Sequence, residues 1–102
     1  MDRNEAVKSA RRYAGYVKQE FPSSQIKLFG SYARNTATVN SDIDVAVIHR
    51  VGTPKQKLAV SKRLWAIARE CGEVNVEPVL IDHLTDSRQL HREIKRDGID
   101  LI

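Results

Sequence analysis

The fold is decided by two stretches of sequence, Leu28-Phe29-Gly30-Ser31-Tyr32-Ala33-Arg34 and Ser41-Asp42-Ile43-Asp44-Val45-Ala46-Val47. Ahead of Gly30, residues 25–29 alternate between polar and apolar side chains, which predicts a short strand. That strand breaks at Gly30, where the missing side chain lets the backbone come close to another group. Residues 34–41 are polar, so we predict a loop that leads from the first stretch into the second.

The second stretch predicts a strand over 42–48 with two different faces. Every second residue from Ile43 to Val47 is apolar, and Asp42 and Asp44 lie on the opposite face because alternate residues of a strand share a face. Two carboxylates at this spacing repel each other by about 1 kcal/mol or more in a partly buried site. A divalent cation such as Mg²⁺ turns this repulsion into binding, since hard oxygen ligands suit it. The alternative is a strand end in solvent that binds nothing.

The rest of the chain supplies helices and further strands on either side. The predicted elements are helices over about 3–20, 53–72 and 86–98, and strands over 25–29, 42–48, 74–81 and 99–102. The predicted helix starts are a capping box of Asp2 with Glu5, another of Thr53 with Gln56 around Pro54, and a third start at Asp86 with Gln89. Gly72 and Gly98 are predicted to end their helices. This order predicts an α+β fold, a small mixed β-sheet of three to four strands flanked by helices. The residues expected in or near the core are Ile43, Val45, Val47, Leu58, Leu64, Trp65, Val76, Leu80, Leu90 and Ile94.

The length and composition limit the class of protein. The chain has 102 residues, of which 41% are hydrophobic, and domains typically have about 100–150 residues, so we expect one domain over 1–102. No apolar run approaches the roughly 20 residues of a membrane span, and the N-terminus lacks the apolar region of an export signal. Cys71 is the only cysteine, which excludes an intrachain disulfide. We therefore expect a cytoplasmic protein without a membrane partner.

The net charge of +4 is spread along three helix-like segments, 3–18, 55–69 and 88–96. Such bases most often form solvated helix faces, and the alternative is a partner that carries phosphate or acidic groups. Nucleic acid is not the expected partner, because the sequence lacks aromatic-rich strands and a known nucleic-acid-binding motif.

The three histidines lack metal-ligand spacing, and we interpret them as surface or capping residues: His49, His83 and His91.

Phosphate binding is the chemistry that the turn after residue 29 favours. Free backbone N–H groups at Gly30 and Ser31, together with the Ser31 hydroxyl, are donors suited to a phosphate group, and Arg34 can add its charge. The alternatives are an ordinary turn for Gly30-Ser31 and a solvent-facing position for Arg34.

Glu77 is the candidate for a third carboxylate at the same site. It interrupts an otherwise apolar strand, which costs free energy unless the carboxylate has a partner. A metal ion or a neighbouring cation would offset that cost. The alternative is an edge strand with Glu77 in solvent, because Pro78 avoids central strands. Asn75 lies on the same strand face and is the alternative register, although an amide cannot replace a carboxylate.

Together, Gly30-Ser31, Asp42-x-Asp44 and a later acidic residue resemble the polymerase-beta-type nucleotidyltransferase superfamily, and above all its small single-domain members, the minimal nucleotidyltransferases. The resemblance extends from about residue 24 to the end of the chain. It implies that Gly30 and Ser31 hold the triphosphate of a nucleotide, while Asp42 and Asp44 bind Mg²⁺. It also implies that Glu77 holds a second metal ion and takes the proton of the attacking hydroxyl.

Two residues depart from the pattern of this family. The third acid is Glu77, where Asp is also common. Asn35 follows Arg34 at a position where Gly is often seen, which predicts a stiffer or differently shaped loop.

The resemblance implies Mg²⁺-dependent transfer of a nucleoside monophosphate, AMP from ATP or the equivalent from another NTP, to a hydroxyl acceptor. A chain of this size cannot enclose an acceptor, so a partner must supply much of that site. Minimal nucleotidyltransferases are commonly encoded with a helical HEPN-type protein as the antitoxin of a toxin–antitoxin pair, which implies such a partner here. The alternative is a non-catalytic antitoxin that neutralises its partner by contact. Self-association into a homo-oligomer is a further expectation.

Overall fold

The computed structural model describes all 102 residues, which form four helices and one four-stranded sheet. In chain order the elements are α1 (Arg3–Glu20), β1 (Gln25–Phe29), α2 (Gly30–Arg34), β2 (Ile43–Ile48), α3 (Pro54–Glu70), β3 (Val76–Ile81), α4 (Gln89–Asp97) and β4 (Ile99–Asp100). The α+β prediction is confirmed. None of the four helices combines the length and the apolar character that a membrane crossing needs.

The sheet is mixed, with strand order β3-β2-β1-β4. β2 runs antiparallel to β1 and parallel to β3, and β4 pairs antiparallel with β1. Because of these directions, the C-terminal end of β1 lies at the same edge of the sheet as the N-terminal ends of β2 and β3. Residues far apart in the sequence therefore meet at that edge.

Each face of the sheet packs against different helices. Side chains from one face join α1 and α3 in the main core, which contains Ile43, Val45 and Val47, all fully buried. Side chains from the other face form a smaller cluster in which Ala46 packs with Ile94 of α4. The predicted alternation of β2 is therefore confirmed, and both faces of this strand are covered beyond Asp44.

The predicted core was wrong at three positions on the helices. The exposed fractions of Leu58, Trp65 and Leu90 are 57%, 41% and 39%. In α3 the buried residues are Leu64, Ile67 and Ala68, so the side of the helix that packs on the sheet is rotated away from Leu58 and Trp65. Leu80 was expected in or near the core and is only partly buried against it.

Of the three predicted helix starts, those at Asp2 and Thr53 are confirmed and that at Asp86 is wrong. The Asp2 carboxylate accepts the Glu5 N–H at 2.8 Å, as a capping residue should. Thr53 accepts the Gln56 N–H at 3.2 Å with Pro54 in the first turn. The expected capping box is not closed, because the Gln56 side chain binds the N–H of Gly52. Other boundaries shift as well. α4 begins at Gln89, with Arg88 in the cap position but no capping side-chain hydrogen bond, since Asp86 instead accepts a hydrogen bond from Lys95 at 2.8 Å. β3 begins at Val76, and β4 covers only Ile99–Asp100.

Candidate active site

The strand register gathers the acidic candidates at one end of the strands. We call this end, which carries Asp42, Asp44 and Glu77, the acidic edge. Phe29 pairs with Asp44 across the antiparallel strands, and Asp44 pairs with Glu77 across the parallel ones. Asp42 lies just before β2, which begins at Ile43 rather than at residue 42. The structure therefore places Glu77, and not Asn75, opposite Asp44, while the Asn75 carbonyl accepts the Ile43 N–H at 3.0 Å.

Gly30 is held against the Asp44 carboxylate. Its φ of +74° is a left-handed conformation that side chains other than glycine rarely adopt. A Cβ at this position would lie 3.1 Å from the Asp44 carboxyl carbon and would overlap one of its oxygens. The glycine thus lets the backbone of the β1–α2 turn approach a carboxylate more closely than any other residue would allow.

Burial, and then the crowding of acidic groups, raises the pKa of two of the carboxyl groups. Loss of water around half-buried Glu77 is the main cause of its raised pKa, followed by a hydrogen bond with Asp42 and the negative charges of Asp42 and Asp44. Burial is also the first cause of the raised pKa of Asp44, and the charge of Asp42 adds to it, while Arg34 opposes both. The three acids therefore repel one another, and a cation would relieve that repulsion.

The short helix α2 carries the other two candidate residues. The Ser31 hydroxyl makes no hydrogen bond within the protein, and Arg34 is exposed with its charge near enough to act on Asp44. Asn35 ends the helix in the left-handed conformation, with φ 61° and ψ 36°. Asn tolerates this conformation better than most residues, so the turn that Gly often provides in this family is made here by Asn35.

Arg3 and Tyr32 help to position this turn, and no sequence pattern predicts that they form a pair. Tyr32 is 3% exposed and joins the main core. The Arg3 guanidinium donates to the Tyr32 carbonyl at 3.1 Å, which ties the start of α1 to α2. These residues lie 29 positions apart in the chain, so only the tertiary structure reveals the contact.

The carboxylates offer suitable oxygen ligands but no closed cage for a bare ion. No group of three His, Cys, Asp or Glu side chains is arranged to hold a metal by itself. Mg²⁺ usually binds proteins through one or two carboxylates, with waters and substrate phosphates as its other ligands. The crowded carboxylates beside the open Gly30 backbone fit that pattern, in which the nucleotide brings part of the ligand set.

The acidic edge is open to solvent. The four surface cavities of the structure are lined by other residues, and none includes Gly30, Asp44 or Glu77. An open edge can admit a second macromolecule at the carboxylates, but it provides no pocket that would enclose a small acceptor.

Comparisons with known proteins identify the family. The family model of the nucleotidyltransferase domain matches residues 10–98, whereas the curated proteins contain no match. One similar structure is a candidate nucleotidyltransferase from Sulfolobus solfataricus, with 20% identity, a TM-score of 0.61, and coverage of 96% of this chain and 80% of that one. Another is a toxin–antitoxin structure with AMP-PNP, with 22% identity, a TM-score of 0.57, and coverage of 90% and 72%. The chain therefore belongs to the nucleotidyltransferase domain family, as its resemblance to the minimal nucleotidyltransferases predicted.

Proposed function

We propose that this protein transfers a nucleoside monophosphate, AMP from ATP, to a hydroxyl group in an Mg²⁺-dependent reaction. The observation that carries the proposal is the strand register, which pairs Asp44 with Glu77 and puts Phe29, the residue before Gly30, opposite Asp44. Acidic ligands and an open glycine backbone are the two components that a metal-bound triphosphate requires.

The residues have separate roles in this reaction. Gly30 and Ser31 would hold the phosphates through backbone N–H groups and the free hydroxyl, with the charge of Arg34 nearby. Asp42 and Asp44 would hold Mg²⁺, which supplies charge neutralisation for the triphosphate when bound.

Glu77 would help to hold a second ion and act as the base. The acceptor hydroxyl loses its proton to Glu77, its oxygen bonds to the α-phosphorus, and the bond to the bridging oxygen breaks so that pyrophosphate leaves.

We further propose that the acceptor hydroxyl belongs to a partner protein of the helical HEPN type, and that this chain is the antitoxin of the pair. The open acidic edge supports this view because it leaves room for a macromolecule. The toxin–antitoxin structure with AMP-PNP has a related fold, and the same pairing would suit this chain.

A second candidate function is neutralisation of the partner by contact, without transfer. The observation that favours it is the exposed apolar surface of α3, where Leu58 and Trp65 are 57% and 41% exposed. They are seven positions apart, about two helical turns, so both lie on one side of the helix. Such a surface can bind a partner whether or not a nucleotide is transferred.

The test is incubation of the protein with Mg²⁺ and α-labelled NTPs, with and without the protein encoded beside it. We expect label on the partner with ATP and Mg²⁺, and none in EDTA. A stable complex without label would favour contact alone. Calorimetry provides a separate check: Mg²⁺ should tighten ATP binding, because bare phosphates are repelled by Asp42 and Asp44, and equal affinity in EDTA would contradict the metal role.

A further inference from the structure

The opposite end of the sheet collects a second group of polar side chains. β2 and β3 end together at the Ile48–Ile81 pair, four positions beyond the Asp44–Glu77 pair. At a strand rise of about 3.3 Å per residue, this end lies roughly 13 Å from the acidic edge. All three histidines of the chain lie here: His49 and His83 line one cavity, and His83 and His91 line another.

The second of these cavities has a volume of about 290 Å³ and lies between the start of α3, the end of β3 and the start of α4. Several of its lining residues carry hydrogen-bond donors. The polar and charged residues of the lining include Lys57, Asp82, His83, Thr85, Arg88 and His91.

Two of the cations in this cavity have no acidic partner. No carboxylate lies within salt-bridge distance of Lys57 or Arg88. The one carboxylate of the cavity, Asp82, is already bound: it accepts the Val51 N–H at 2.8 Å and lies 3.0 Å from His83 Nδ1. The cavity is therefore positively charged and has unused donors.

His91 adds a donor that is fixed in direction. His91 is only 9% exposed, so it is buried and does not lie at the surface, where the sequence predicted it. Nδ1 accepts the Thr85 N–H at 3.2 Å, so the neutral ring carries its proton on Nε2. Nε2 has no partner in the protein, and His49 Nδ1 is the only enclosed side-chain atom without one. Nε2 is therefore not enclosed, and His91 is one of the residues that line the cavity.

We propose that this cavity binds a phosphate group, as inorganic phosphate or as the phosphate of a small phosphomonoester, through Lys57, Arg88 and His91. A phosphate dianion accepts several hydrogen bonds, and charge-assisted bonds of this kind are the strongest that proteins make. The volume suits a small ligand, since pockets for larger molecules begin at about 300 Å³.

The electrostatics of His91 agree with an anion site. Burial lowers the pKa of His91, and the nearby charges of Arg88, His83 and Lys95 lower it further. A bound phosphate would offset those positive charges. The ring should then hold its second proton to higher pH.

The binding test is calorimetry in EDTA, which disables the proposed nucleotide site and so separates the two proposals. Inorganic phosphate and AMP should bind, and adenosine should not. Comparable affinities would identify free phosphate as the ligand, and tighter binding of AMP would identify a phosphomonoester. Arg88→Gln and Lys57→Gln should each weaken phosphate binding by about tenfold or more, because each removes one charge-assisted hydrogen bond.

Matched controls are Arg11→Gln and Lys8→Gln, which remove exposed bases of α1 that line none of the cavities. They should bind phosphate like the wild type. A second readout is the NMR titration of His91, whose pKa should rise when phosphate is added. Absence of phosphate binding, equal losses in the control variants, or an unchanged His91 titration would each overturn the proposal.

Discussion

Asp44 is the residue at which the requirements of the site and of the fold conflict most. It is half-buried, and burial together with the charge of Asp42 raises its pKa. The ionised carboxylate is therefore less favourable in the folded protein than in the unfolded chain. This cost is absent below the pKa of the unfolded chain and is fully present once the pH exceeds the folded pKa.

Asp44→Asn should consequently raise the melting temperature of the metal-free protein at neutral pH by a few degrees. One kcal/mol shifts the melting temperature of a domain this small by about 4–8 °C. The gain over wild type should grow as the pH rises through the carboxylate range, and Mg²⁺-ATP should no longer stabilise the variant. Thermal melts in EDTA and in Mg²⁺-ATP measure both effects.

Asp100→Asn is a control of opposite sign. Its carboxylate lies 2.7 Å from Lys27 Nζ, and that hydrogen bond lowers its pKa. Its contribution to stability is present above the unfolded pKa and lost as the pH falls, so the variant should melt no higher than wild type at neutral pH. A clear drop in the melting temperature of Asp44→Asn would contradict the metal-site role.

Glu77→Gln separates chemistry from folding. The amide keeps the size of the side chain but removes a metal ligand and the proposed base, so transfer should fall by about 10²-fold or more, the typical contribution of general base catalysis. Nucleotide binding should change little. The metal-free variant should melt no lower than wild type, because the raised pKa of Glu77 means that its ionised form costs stability in the folded protein. Single-turnover assays with labelled ATP measure the loss. Unchanged transfer would remove Glu77 from the mechanism.

The turn from β1 into α2 is the element that presents the backbone to the site. It is bounded by two left-handed residues, Gly30 with φ +74° and Asn35 with φ 61°. Between them, Tyr32 is buried in the core and bound by Arg3. The turn is therefore fixed at both ends and in the middle, which explains how five residues keep a defined position beside the carboxylates.

Gly30→Ala and Gly72→Ala should both destabilise the protein but differ at the site. Each puts a side chain on a left-handed backbone, at a cost of about 1–2 kcal/mol. At Gly72, where φ is +81°, a Cβ meets nothing within 4 Å, whereas at Gly30 it overlaps the Asp44 carboxylate. Denaturant unfolding measures the stabilities, and calorimetry should show that only Gly30→Ala loses Mg²⁺-ATP binding. Equal nucleotide affinity in the two variants would contradict the site as described.

The molecule as a whole leaves two kinds of surface uncovered. The acidic edge of the sheet is open, and α1 and α3 expose large apolar side chains, with Tyr16 50% and Trp65 41% exposed. Lys62 and Arg69 lie on the same side of α3 as Leu58 and Trp65, since these positions are three and four residues apart. A partner with apolar and acidic side chains would complement this surface.

We expect the wild-type protein to self-associate or to bind the helical partner through this surface. The double variant Leu58→Ser, Trp65→Ser should weaken that association by about tenfold or more, because buried aromatic anchors dominate interface energies. Leu90→Ser is the control, since Leu90 is 39% exposed on α4, which covers the other face of the sheet. Light scattering and pull-down measure association. A monomer that captures no partner would contradict the expectation.

Features that depend on neighbouring residues could be predicted from the sequence. The caps at Asp2 and Thr53, the two faces of β2 and the break at Gly30 each follow from side chains within about four positions of one another. The Gly30-Ser31 and Asp42-x-Asp44 motifs are local for the same reason, so the family and the α+β fold could be identified before the structure was known.

Features that depend on pairing between distant segments could not be predicted from the sequence. The pairing of Glu77 with Asp44 is set by the register of β2 on β3, and the sequence left Asn75 as an alternative because both lie on one strand face. The buried side of α3 is set by the helices and strands that it contacts. The prediction that Trp65 lies in or near the core was therefore wrong, and its side chain is 41% exposed. The three histidines lack metal-ligand spacing in the sequence, yet they come together because β2, β3 and α4 meet at one end of the sheet. Local interactions specify the elements, and long-range packing specifies which residues share a site.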